Sequence, residues 1–323
     1  MRVRLLWCWS VAGCLAFGQA GSVAGPSAGY VFDGSAKGLR QIRGVPGAAL
    51  LTGVLDLGIS PAGAAVSPRG DSAIAVADDG STHLFRLADG AAAEVAVQGL
   101  FDAPSRVVFS PSGTAATLYR GDAVQIVKGL PGSPDIGHPL PVPSAAGVPA
   151  TAAAAAGRLN SVSIAVSDDG ACLLIAREKS IVVVNSPGSN RVLMDAHAGA
   201  VVAFAPGGHD AAVVTGGTLS LFQDVAGAST RQDFPGAGAA IGLAFSADGG
   251  KLVTGGLRAA TVWDRSSGNR QQVDCDCRVD GIVPTGSWFR LNEAGAGPVW
   301  LLDAAAVRMY FVPAPAAPSA QVH

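Results

Sequence analysis

The chain has 323 residues, 49% of them hydrophobic and 14% charged, and its mean hydropathy of +0.37 demands a buried core and excludes a disordered protein. Its acids are 21 Asp against 3 Glu, beside 43 Gly and 20 Pro, a composition that serves turns and disfavours an all-helical fold. The net charge of −2, with 4 Lys beside 18 Arg and no basic run, offers no electrostatic footprint for nucleic acid.

The amino terminus reads as an export signal. Met1-Arg2-Val3-Arg4 is a positive start, Leu5 to Phe17 an apolar stretch of 13 residues, and Gly18-Gln19-Ala20 a small-x-small site before Gly21. That stretch is shorter than the ~20 residues that cross a bilayer as a helix. No later segment reaches this length without Gly, Pro or charge, so no transmembrane segment is expected. Val11-Ala12-Gly13-Cys14 supplies an alternative, acylation at Cys14 and a lipid anchor. Cleavage after Ala20 makes the protein periplasmic or extracellular, with 21–29 a flexible mature N-terminus. Export leaves Cys172, Cys275 and Cys277 in an oxidising compartment. Cys172, within Cys172-Leu173-Leu174-Ile175-Ala176, reads as a buried small hydrophobe. Cys275-Asp276-Cys277 reads as a local disulfide, as two free thiols, or as part of a metal or redox site.

A unit then recurs along the chain: an alternating apolar segment, [S/A]-x-x-G, and a second apolar segment. Its turns are Ser67-Pro68-Arg69-Gly70, Ser110-Pro111-Ser112-Gly113, Ser167-Asp168-Asp169-Gly170, Ala205-Pro206-Gly207-Gly208 and Ser246-Ala247-Asp248-Gly249, with glycines 43, 57, 38 and 41 residues apart. Pro presets φ, Asp or Ser bonds its own backbone and Gly takes positive φ, which is hairpin chemistry. A further strand follows each hairpin: His83–Arg86, Val124–Val127, Ile181–Val184, Leu219–Phe222 and Ala260–Asp264. Tyr30–Asp33 with Leu39–Ile42 parallels Val262–Asp264 with Asn269–Val273, and Val299–Asp303 follows a divergent hairpin through Ile282-Val283 and Trp288–Arg290. Four short strands every ~40 residues are the pattern of propeller blades.

Residues 240 to 268, which include Ala244-Phe245-Ser246-Ala247-Asp248-Gly249 and Ala260-Thr261-Val262-Trp263-Asp264, resemble a WD40 repeat. His197 falls where that family has its Gly-His dipeptide, ahead of Phe204-Ala205-Pro206-Gly207-Gly208. In the family a His, a Ser or Thr, a turn Asp and the Trp form a hydrogen-bond network inside a blade. No unit here has the full set, so the resemblance is to the broader WD40-like and YVTN-like propeller superfamily.

The expected fold is all-β: a β-propeller of seven four-stranded blades over 30–312, the alternative being six blades plus an N-terminal hairpin. The Pro/Ala-rich stretch 131–157 reads as an extended surface loop and 313–323 as a Pro/Ala-rich tail, because proline donates nothing to a ladder.

The short chemical motifs have structural readings. Gly25-Pro26-Ser27-Ala28-Gly29 spells a nucleophile elbow without the strand and helix that elbow requires. Arg69-Gly70-Asp71 spells an adhesion tripeptide inside a repeat turn. The five histidines, His83, His138, His197, His209 and His323, show no ligand spacing, and Asp78-Asp79 and Asp168-Asp169 read as turn formers on opposite faces. No catalytic residue, metal or cofactor is assigned.

In a propeller the turns between second and third strands and the connections between blades share one face. Asp78, Asp79, Arg120, Asp122, Arg177, Glu178, Lys179, His197, Cys275, Asp276 and Cys277 map there, and loops on a rigid scaffold are where binding concentrates. The expected function is an exported, monomeric, non-enzymatic scaffold that binds a protein or small ligand through this face. The alternatives are a propeller enzyme, lactonase-like or quinoprotein-like by fold analogy, and a lipoprotein subunit of an envelope assembly complex.

Overall fold

The computed structural model describes residues 26–121, 123–142, 162–185, 189–295 and 297–314. The segment read as an export signal, Cys14, most of the 131–157 stretch, Asp122 and the tail from 315 lie outside the described residues. Among the described residues every regular element is a strand.

Blade 1 holds β1 (Ser27–Asp33), β2 (Gly38–Arg43) and β3 (Leu50–Val54). Blade 2 holds β4 (Pro61–Val66), β5 (Ser72–Ala77), β6 (Thr82–Ala88) and β7 (Ala91–Val95). Blade 3 holds β8 (Arg106–Phe109), β9 (Ala115–Arg120), β10 (Ala123–Lys128), β11 (Asp135–Ile136) and β12 (Leu140–Pro141). Blade 4 holds β13 (Ser163–Val166), β14 (Cys172–Ala176), β15 (Ser180–Asn185) and β16 (Ser189–Asp195). Blade 5 holds β17 (Val201–Phe204), β18 (Ala211–Thr215), β19 (Gly217–Gln223) and β20 (Thr230–Gly238). Blade 6 holds β21 (Gly242–Phe245), β22 (Lys251–Gly255), β23 (Ala259–Asp264) and β24 (Arg270–Asp274). Blade 7 holds β25 (Val283–Thr285), β26 (Trp288–Arg290), β27 (Val299–Asp303) and β28 (Arg308–Val312).

All seven sheets are antiparallel meanders, and together they make a seven-bladed β-propeller. Seven apolar clusters close the ring, each shared between two successive blades, the last joining blade 7 to blade 1 through Val299, Leu301, Val31 and Ile42. The period of two along a strand divides residues between neighbours. In β14, Cys172, Leu174 and Ala176 pack toward blade 5, whereas Leu173 and Ile175 pack toward blade 3. A strand covered on both faces therefore reads as a continuous apolar run, and all five residues of β14 are buried. Burial pushes the Cys172 thiol up to about 12, so it stays uncharged. The outermost strand β24 is largely exposed and polar.

The hairpin turns form as their sequences dictate. Ser67, Ser110, Ser167, Ala205 and Ser246 each donate a backbone N–H to the carbonyl five residues on. Gly70, Gly113, Gly170 and Gly249 take positive φ as expected; in the fourth turn Gly207, not Gly208, does so.

Three expectations change. Tyr30–Asp33 is not a third strand: β1 is the innermost strand of a three-stranded blade, with β3 outside β2. Its turn lies on the connection face, where Lys37 pairs with Asp78 at 2.7 Å and Asp33 bridges Ala294. Blade 1 thus has no strand at the axis, and the ring closes there by a hydrogen bond from the Gly286 N–H to the Pro68 carbonyl (3.1 Å). Second, Ser27–Gly29 belongs to β1, inside the stretch read as a flexible terminus; the Ser27 hydroxyl donates to the Ile42 carbonyl (3.4 Å). Third, part of the Pro/Ala-rich stretch pairs after all: β11 and β12 both run along the outer edge of β10, where Pro141 stands opposite Ala123 and needs only its carbonyl to take part in a ladder.

Candidate binding face

The first strands of blades 2 to 7 surround a central channel of ≈350 Å³. Each is paired on one side only, so its other edge turns toward the channel. Small and apolar residues, among them Ala64, Val66, Ile164, Val202, Ala203 and Phe245, form much of the wall. The ionisable residues of the wall, Arg106 and Arg290 at strand ends and Asp280 and Glu293 in the adjoining loops, all stand on the connection face. Arg290 is 4% exposed and pairs with Glu293 at 2.6 Å. Arg106 forms no ion pair with a described acid; it donates to the Val162 carbonyl (2.8 Å), and burial lowers its pKa.

The strand directions place Asp78, Asp79, Arg120, Arg177, Glu178, Lys179, His197, Cys275, Asp276 and Cys277 on this same face, spread over blades 2 to 6. Asp122 lies outside the described residues. Hydrogen bonds from Lys37 and Ser60 hold the Asp78 carboxyl below the usual carboxylate range, and Ser81 does the same for Asp79, so both stay ionised as turn anchors. Arg120 lies 4.5 Å from the centre of the Phe101 ring and donates to the Asp102 carbonyl (3.4 Å). Arg177 has a buried Nε with no hydrogen-bond partner, and burial lowers its pKa while Tyr119 acts to raise it. His197 accommodates a Thr215 hydroxyl 3.5 Å from Nδ1, and its backbone N–H donates to that oxygen (2.8 Å). Cys275 and Cys277 form a disulfide, which resolves the three readings of that pair.

No described blade holds the family's full network, as its sequence implied; single contacts of that kind occur in two blades. Blade 5 has the His197–Thr215 contact, and blade 6 has Trp263 Nε1–H donating to Thr254 Oγ1 (3.1 Å).

No family model matches this chain, and no curated protein matches it. Among solved structures it resembles the crystal structure of a functionally unknown protein from Desulfotomaculum acetoxidans DSM 771, at a TM-score of 0.58 and 13% identity, covering 89% of this chain and 100% of that one. That likeness is one of fold.

Sequence reading missed the charged rim of the channel and an apolar corner beside it. Leu257 is 73% exposed and Ile241 40%. Ile241 N–H donates to the Gly255 carbonyl (2.7 Å), and Cys275 N–H to the Arg258 carbonyl (3.0 Å), so the disulfide, Ile241 and Leu257 share one corner of blade 6. A signal existed at Ile241, an apolar residue directly before a strand on a connection. On the opposite face a cleft of ≈440 Å³ opens between blades 1, 2 and 7, where Arg69 is already held by Asp71 at 2.8 Å. Among the described residues no group of three or more His, Cys, Asp or Glu side chains could hold a metal ion, and no helix is long and apolar enough to cross a membrane.

Proposed function

We propose that this chain is a binding module whose connection face receives a protein partner over the channel mouth. The observation that carries the reading is the pair Ile241 and Leu257, exposed on a rigid corner beside the disulfide and the charged rim. The other large exposed apolar residues lie at the circumference: Leu50 and Val54 together on β3 with Val45 in the turn before it, Val192 on β16 and Phe311 on β28. An exposed apolar anchor ringed by polar groups is the common form of an interface centre.

The export reading of the amino terminus extends this proposal: the module works outside the cytoplasm, where a Cys275–Cys277 disulfide persists. The WD40-like and YVTN-like affiliation is supported by the repeat turns and the single contacts in blades 5 and 6.

The test places a photo-crosslinking residue at Leu257 and, separately, at Val192 of the full chain in extracts of the source organism. A discrete adduct forms from position 257 and not from 192, and L257D weakens binding of the identified partner roughly tenfold, about 1.4 kcal/mol. Equal adducts from both positions, or an unaffected L257D, contradict the proposal.

A further inference from the structure

We infer that the sector of the connection face on blades 3 and 4 is a surface for an acidic peptide segment, whose carboxylates are received by Arg106, Arg120, Arg177 and Lys179. This rests on the connection face being the binding surface.

The pairing of cations around the rim points to it. Outside this sector Lys37, Arg40, Arg258, Arg278 and Arg290 each hold an acid, at 2.7, 2.6, 3.0, 3.1 and 2.6 Å. Within it, none of the four cations pairs with a described acid. The topology gathers them: Arg106 is the cross-strand partner of Tyr119, Arg120 follows Tyr119, and Arg177 with Lys179 lies in the turn that follows β14 of the next blade. Arg106 also crosses to blade 4 through the Val162 carbonyl, next to Ser163, which is paired with Ala176 beside Arg177. The guanidinium groups of Arg120 and Arg106 are held by Phe101, Asp102 and Val162, so these two lose little rotamer freedom on binding.

Three of the four cations are arginines, whose planar forks match carboxylates and other oxyanions. The rest of the chain selects among such ligands. Its net charge is −2, and Asp102, Glu178 and Asp195 border the sector, so a long polyanion or an anionic membrane would meet repulsion beyond a few charges. A short acidic peptide avoids this. It also finds backbone partners, because β8 turns an unpaired edge to the channel immediately after Arg106.

The experiment measures fluorescence anisotropy of fluorescein-labelled octaglutamate with the full chain at low and at 0.3 M salt. Octaglutamate binds, the affinity falls with salt, and Arg106→Gln and Arg177→Gln each weaken it at least fivefold. Arg258→Gln, whose native guanidinium is already paired, binds within twofold of the parent; an unchanged thermal midpoint certifies that each variant is folded. No binding, equal losses for R106Q and R258Q, or tighter binding to phosphatidylglycerol vesicles or duplex DNA than to octaglutamate overturns the inference. If octaglutamate fails while L257D still releases the partner, the anion assignment falls and the binding face stands. If octaglutamate binds as stated while crosslinks from Leu257 are absent, the apolar anchor falls instead.

Discussion

Trp263→Ala lowers the unfolding free energy by about 3–5 kcal/mol, measured by urea denaturation, the range for truncating a large buried aromatic. Trp263 is 2% exposed and packs from blade 6 against Ala212, Val214 and Leu219 of blade 5, so its loss opens a cavity in an interface between blades. The substitution also removes the donor to Thr254 Oγ1, 3% exposed, and the ring on which the Arg270 guanidinium lies at 5.3 Å. Trp263→Phe keeps part of the packing while losing the fused ring and the hydrogen bond, so it costs less than Trp263→Ala, about 2 kcal/mol. A Trp263→Ala midpoint indistinguishable from the parent would mean that blades 5 and 6 do not pack through this residue.

Asp33→Asn costs about 3 kcal/mol at neutral pH, because it leaves the Arg40 guanidinium largely buried without its counter-ion. Asp33 is 1% exposed; Arg40 Nε donates to it at 2.6 Å, and the Ser35 hydroxyl and the backbone N–H groups of Ser35 and Ala36 donate to its other oxygen. Burial works to raise its pKa, and these donors outweigh it, so the carboxyl lies below its ordinary value. A depressed folded-state pKa contributes stability that is complete above the unfolded-state value, about 3.9, and is lost as pH falls through the folded one. The gap between parent and variant is therefore full at pH 7 and closes toward pH 3. Thermal unfolding across that range measures it, with a shift of roughly 5 °C at pH 7; a gap constant with pH contradicts the ionised pair. Asp33 stands where blade 1 meets blade 7 at Ala294, so the pair secures the closure of the ring.

How much of this was legible in the sequence depended on the range of the interaction. The Ser67, Ser110, Ser167 and Ser246 turns were readable because a hairpin of this kind is built from four adjacent residues. The same locality misled at β1. Asp33 caps Ser35 and Ala36 as Asp264 caps Ser266 and Ser267, and that turn chemistry is indifferent to which face of the propeller it occupies. Only contacts with the neighbouring blades fix the direction, Lys37 with Asp78 on blade 2 and Asp33 with Ala294 on blade 7. β11 and β12 were hidden because their prolines outweighed the few donors that do pair.

The face itself followed from strand order, and its most distinctive sector did not. Arg106 and Arg177 lie on different blades, and nothing in either neighbourhood shows that the fold brings both to one mouth with no described acid paired to either. Likewise, Arg290 and Glu293 look like any exposed pair in sequence, whereas the divergent blade 7 buries Arg290 at the channel rim.

The most direct measurement of the central claim is hydrogen exchange of the full chain with and without saturating octaglutamate. The account predicts slowed exchange confined to the connection face of blades 3 and 4, in 105–108, 119–121 and 176–180, with the turns at 67–71 and 246–250 unchanged. Protection in those turns, or spread evenly over both faces, would contradict it.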